Sequence, residues 1–273
     1  MLPLVLAVAL DLTTAAQASP RPRACRGAAG NDGVWARMRG ADAQRYCELL
    51  ARGYARLAQT PKEALLAART AEGLAGPLPA VRVLAGRAEL RLGEGLLAYQ
   101  LFQQAEGGDT QAFADPKALH DYARAASLAG KSSETVRLYR LLISRLALLD
   151  DPRERVFVQI EAAAHVLAQV EKGADEALGY LAHARQEPLG LLPWIEGLRL
   201  LALRQTGRGE ARGSLGAAPS LASLGTPPPT LVSADFPLLP PGLFTAIGAA
   251  LSQRASASPG TTVGSNAKRG KPR

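Results

Sequence analysis

The fold is decided by residues 79–106, PAVRVLAGRAELRLGEGLLAYQLFQQAE. Val81, Val83, Leu84, Ala88 and Leu90 recur at helical rather than alternating spacing, and so do Leu97, Ala98, Leu101, Phe102 and Ala105. Gly93 divides the stretch, which therefore reads as two helices, 79–92 and 94–106, folded back on each other. Gly86 in the first and Ala98, Phe102 and Ala105 in the second put small residues where two helices cross closely, with one large ring beside the crossing.

The same pattern extends outward in both directions. Before it lie a helix over 44–58 and a second that opens at Thr60-Pro61 and closes near Gly73–Pro77, with Tyr46, Leu49, Leu50 and Tyr54 on one stripe of the first. Thr60 is expected as N-cap and Pro61 at the first helical position of the second. After it come 116–129 and 132–148, then 153–171 and 174–186, then a partial fifth pair around 195–204. Gly130, Gly173 and Asp150-Asp151-Pro152 punctuate them. The small-then-large pattern repeats as Ala51, Tyr54, Ala64, Ala68, Ala71; as Ala123, Gly130, Thr135, Tyr139, Leu142; and as Ala164, Ala177, Leu181, Ala184.

This arrangement resembles the tetratricopeptide repeat, with a small residue at the eighth position, Ala-x3-large later, another small residue and a helix stop. Pair starts are spaced about 35, 37 and 41 residues, and the family's leading Trp is absent from the first four pairs. The resemblance implies an all-α fold, a right-handed solenoid of antiparallel helix pairs over 44–206. It also implies a concave groove lined by the first helix of each pair. Its inward positions fall on Arg45, Glu48 and Arg52; on Val83, Arg87 and Leu90; on Lys117, His120 and Arg124; and on Glu161 and His165. The lean of that face is basic, so the expected partner is another protein or peptide of acidic character. Members that grip carboxylates also use groove asparagines, whereas Asn31 and Asn266 here lie outside the repeats.

The net charge of +8 is not spread over the repeats. Residues 21–39 carry +4, residues 254–273 carry +5 and residues 1–20 carry −1, which leaves 40–253 neutral. Charge confined to the ends argues against a nucleic-acid-binding face. Leu2 to Leu10 is an apolar run far shorter than the roughly 20 residues a bilayer needs. Ala16-Gln17-Ala18 follows, so the reading is a signal peptide over 1–18, without a basic leading region, and a periplasmic or secreted protein with no stable membrane span. Residues 19–43 then form an N-terminal extension, and in an oxidising compartment Cys25 and Cys47 are expected to form a disulfide that ties it down. Residues 207–237 read as a Gly/Pro-rich linker, 238–252 as a capping helix and 253–273 as a basic disordered tail.

No catalytic pattern stands up to its context. Ala125 with Gly130-Lys131-Ser132 matches a relaxed phosphate loop, but the preceding residues are helical and a phosphate loop follows a strand. Lys131 to Glu134 fits a turn and an N-cap better. His120, His165 and His183 have no metal-ligand spacing, and no G-x-S-x-G elbow is present. The expectation is a scaffold rather than an enzyme, with no cofactor and no metal. The other readings are a structural part of an envelope assembly that makes contact through its Pro-rich, basic C-terminus and, third, a nucleotide-binding enzyme built around Lys131.

Overall fold

The computed structural model describes residues 25, 38, 40–184, 191–207, 239 and 242–257. The expected signal peptide, most of the expected linker and the expected tail beyond Ala257 lie outside them. The described chain is all-α: α1 Gly40–Arg56, α2 Pro61–Ala75, α3 Pro79–Arg91, α4 Gly95–Gly108, α5 Pro116–Leu128, α6 Ser132–Ile143, α7 Pro152–Gln169, α8 Ala174–Ala184, α9 Leu192–Gln205 and α10 Leu243–Ala257. Each helix packs on the next, and α1 also touches α3, α3 touches α5, and α7 touches α9.

Four helices start on proline, at Pro61, Pro79, Pro116 and Pro152. The aspartates before the last two cap them, since the side chain of Asp115 accepts from the Lys117 N–H at 3.0 Å and that of Asp151 from the Arg153 N–H at 2.9 Å. Thr60 holds the N-cap position of α2, but its hydroxyl turns back to the Arg56 carbonyl and makes no cap bond. At α6 the helix starts on Ser132, so the N-cap residue is Lys131, which has no side chain suited to capping.

Three expected boundaries move. α1 begins at Gly40 rather than 44, with Asp42 complementing the positive end of its dipole. The helix expected over 132–148 ends at Ile143. There the Ser144 hydroxyl donates to the Leu141 carbonyl at 2.7 Å, and a short 3₁₀ turn, Leu146–Leu148, follows. The last helix lies at Leu243–Ala257 instead of 238–252, because Pro240 and Pro241 oppose helix before Gly242. Residues 253–257, expected in the tail, are therefore helical.

The core passes along the chain in three overlapping clusters. The first joins α1, α2 and α3 through Tyr46, Leu50, Ala64, Ala68 and Leu84, with Cys25. The second runs from Val83 of α3 to Ala162 of α7 and holds an aromatic group, Tyr99, Phe102, Phe113 and Tyr122, whose ring centres lie 4.8–5.9 Å apart. The third joins α7, α8 and α9 to Ile247 and Leu251 of α10. Small-into-large packing operates as the residue types suggested. A Cβ on Gly86 would stand 2.6 Å from the Phe102 ring, so α3 and α4 approach this closely only because position 86 is glycine. The disulfide between Cys25 and Cys47, Cα to Cα 5.9 Å, attaches residue 25 to α1.

Candidate functional site

Helices α3, α5 and α7 are buried on most of their faces, and they carry buried ionisable groups: Arg87, Glu89, His120, Asp121, Glu161 and His165. Their arrangement follows from one register. Arg52, Arg87, Arg124 and His165 each stand four residues before the last residue of α1, α3, α5 and α7. Four residues is about one helical turn, so each points to the same side of its helix near the C-terminal end.

Between α3 and α5, Arg87 Nε donates to Asp121 Oδ2 at 2.7 Å, and Arg91 Nη1 donates to Asp121 Oδ1 at 3.0 Å. Asp115 lies 3.6 Å from Arg87 Nη1. On the other side, the Arg87 guanidinium sits 5.8 Å from the centre of the Tyr54 ring on α1. Burial alone would raise the Asp121 pKa, but Arg87 and Arg91 outweigh it and hold the carboxyl below its usual range.

Between α5 and α7 the acceptor is Glu161, whose side chain is 2% exposed. Its carboxylate meets His120 Nε2 at 2.6 Å, Arg124 Nη2 at 2.6 Å and the Tyr139 hydroxyl of α6 at 2.9 Å. Burial opposes its charge, yet His120 and Arg124 push the pKa strongly down. For His120, burial favours the neutral ring, but Glu161 together with hydrogen bonding to Glu154 and Glu161 raises the pKa overall. Glu154 lies 3.8 Å from His120 Nδ1 and 3.8 Å from Lys117 Nζ.

His165 is of a different kind. It stacks on Tyr139, ring centres 5.3 Å apart, and its ring nitrogens lie 3.5 Å from Ser127 Oγ and 3.3 Å from Gln169 Nε2. Burial lowers its pKa to about 4, against the pull of Glu161, so the ring is neutral at pH 7.

The expected basic lining of an open groove is thus corrected. Arg87 and Arg124 are each bonded to a carboxylate of the next odd-numbered helix, His120 and Glu161 are buried against each other, and Val83 is core. Arg45, Glu48 and Arg52 of α1 are exposed, with Glu48 accepting from Gln44 at 3.1 Å, and Lys117 is exposed beside Glu154. Asp121 was not among the expected site residues. The signal that marks it is a lone acid between Leu119 and Tyr122 on a face otherwise built for the core.

A second set of Arg–carboxylate bonds links the even-numbered helices on the outside. Arg137 of α6 donates to Glu106 of α4 at 2.9 Å, and Arg140 of α6 donates to Glu176 of α8 at 2.9 and 2.8 Å. The phosphate-loop match lies on the turn between α5 and α6, where Gly130 has φ +68° and the preceding element is a helix. Among the described residues no group of three or more His, Cys, Asp or Glu side chains could hold a metal ion, and no helix is long and apolar enough to cross a membrane.

Chemically, a buried carboxylate that already accepts from His120, Arg124 and Tyr139 has its lone pairs occupied and its proton affinity suppressed. That is the profile of a cross-link between helices and a poor one for a general base. No protein-family model, curated protein or solved structure matches the chain.

Proposed function

We propose that the chain is a non-catalytic scaffold, a solenoid of helix pairs of the tetratricopeptide kind, that holds another polypeptide on the face formed by its odd-numbered helices. The observation that carries this reading is the commitment of the buried ionisable groups to one another. Asp121 and Glu161 join α3, α5 and α7 side by side and harden the array instead of facing an open cleft. A stiff, extended surface binds a partner with little ordering cost. The side chains that remain open on this face, Arg45, Glu48, Arg52 and Lys117, are polar and mostly basic, which suits an acidic segment. The Cys25–Cys47 disulfide supports an oxidising compartment and hence export.

The test is photo-crosslinking in the native host, with benzoylphenylalanine in place of single residues. Adducts to one partner from positions 45 and 117, and none from Lys62 or Lys172 on other faces, are the expected result. Adducts only from the tail, for example from Ser265, would overturn it. They would favour the second reading, contact through the Pro-rich basic C-terminus, which draws its support from the neutralisation of Arg87 and Arg124 within the helices while 254–273 keeps +5.

A further inference from the structure

The odd-numbered helices repeat one device, and its first copy lacks its acceptor. Arg87 and Arg91 are the fourth-from-last and last residues of α3, and together they close on Asp121 of α5. Arg124, at the first of these places in α5, closes on Glu161 of α7. In α1 the same two places hold Arg52 and Arg56. Asp121 stands seven residues before the end of α5 and Glu161 eight before the end of α7. The corresponding residues of α3 are Leu84 and Val83, both buried and apolar. Leu84 packs on Gly53, where a Cβ would stand 2.5 Å from its Cδ2. The α1–α3 seam is therefore closed by apolar contact, and among the described residues the α1 arginines make no ion pair with α3, whose Glu89 is bonded to Arg69 of α2 at 3.5 Å.

Their other surroundings leave them available. Arg52 is exposed and makes no ion pair among the described residues. Arg56 reaches Glu63 at 3.5 Å, with both side chains more than half exposed, and such a contact contributes little. Glu48, on the same face, is bonded to Gln44 and makes no ion pair with Arg45 or Arg52 among the described residues.

We propose that Arg52 and Arg56, left without a seam carboxylate, form a surface site for an aspartate or glutamate side chain of the partner polypeptide. The proposal rests on the scaffold reading above and locates its point of charge recognition. Two guanidiniums one turn apart present several planar donors, and planar donors suit a carboxylate better than point charges do. Arg45, exposed two turns earlier on the same helix, extends the attraction along an acidic segment.

The experiment uses the full chain and a fluorescein-labelled, end-capped hexaglutamate peptide, with hexaglutamine as control, followed by fluorescence anisotropy. Wild type is expected to bind hexaglutamate, more weakly as salt rises, and not hexaglutamine. Arg52→Ala/Arg56→Ala should weaken binding about tenfold or more, in line with loss of a charge-assisted pair. Arg52→Lys/Arg56→Lys should recover part of it, while Lys62→Ala and Lys172→Ala should leave it unchanged. Circular dichroism confirms that each variant keeps its helix content. Equal binding by wild type and the double alanine variant, or no preference for hexaglutamate, overturns the proposal. If the double alanine variant still forms the photo-crosslinked adduct in the host at wild-type yield, the acidic site falls and the scaffold reading stands. If wild type forms no adduct at all, the scaffold reading falls.

Discussion

The molecule contains two ladders of Arg–carboxylate bonds, one inside and one outside. The inner ladder, Arg87–Asp121 and Arg124–Glu161, ties the odd-numbered helices and excludes water: the Asp121 and Glu161 side chains are 5% and 2% exposed. The outer ladder, Arg137–Glu106 and Arg140–Glu176, ties the even-numbered helices in solvent, with both arginine side chains nearly half exposed. Distances in the two are alike, from 2.6 to 2.9 Å. Geometry therefore does not rank them. What differs is the consequence of losing one partner, because a stranded charge inside cannot return to water.

The largest test of that difference is Glu161→Ala. It leaves His120, Arg124 and the Tyr139 hydroxyl without their acceptor, and breaking a buried pair in this way costs about 3–5 kcal/mol. Urea unfolding should show the loss as a lower midpoint, and a shift equal to that of an outer-ladder alanine variant would remove the distinction.

The buried histidines beside the inner ladder should also give stability a pH dependence with two limbs. The folded pKa of His165 is lowered to about 4, so below pH ~6.5 the unfolded chain takes up the proton first and stability falls between pH ~6.5 and ~4. The fall is about 3 kcal/mol at most. His120 is raised, so its contribution is complete below pH ~6.5 and declines as pH climbs toward its folded pKa. His165→Gln should flatten the acid limb and His120→Gln the alkaline one. A single limb that persists in both variants would place the titration elsewhere.

Double-mutant cycles sharpen the comparison further. The Arg87–Asp121 coupling should be on the order of 1–3 kcal/mol and survive high salt. Arg140–Glu176 should give the smallest effect, roughly 0.2–1 kcal/mol, and vanish as salt rises. Equal salt sensitivity in the two cycles would show that the inner seam is wet.

The difference between the ladders also marks where the sequence stops being legible. Helix starts at Pro61, Pro79, Pro116 and Pro152, and the small-to-large packing of Gly86 on Phe102, are local properties and could be read directly. So could the recurrence of Arg52, Arg87 and Arg124 on one side of their helices. Helical spacing says which way a side chain leaves its own helix, and it does not say what stands opposite. Asp121 and Glu161 come from the following pairs, about 34 and 37 residues away from Arg87 and Arg124. Connections of unequal length lie between, notably residues 109–115 and 144–151. A shift of one residue would have put His120 or Tyr122 before Arg87, and Ile160 or Ala162 before Arg124, instead. Hence the face was legible and the neutralisation was not.

One feature bears on how the chain is made. α10 completes the last pair against α9, with Trp194 against Phe244, yet residues 206–242 separate the two helices. A ribosome adds about 5–20 residues per second. After α9 emerges, its Trp194 and Gly197 side therefore waits several seconds for α10. In every earlier pair the covering helix follows within a few residues. The last pair is thus the one whose second helix arrives latest, and a message truncated before Leu243 would release a product without the Phe244 and Ile247 contacts to α9.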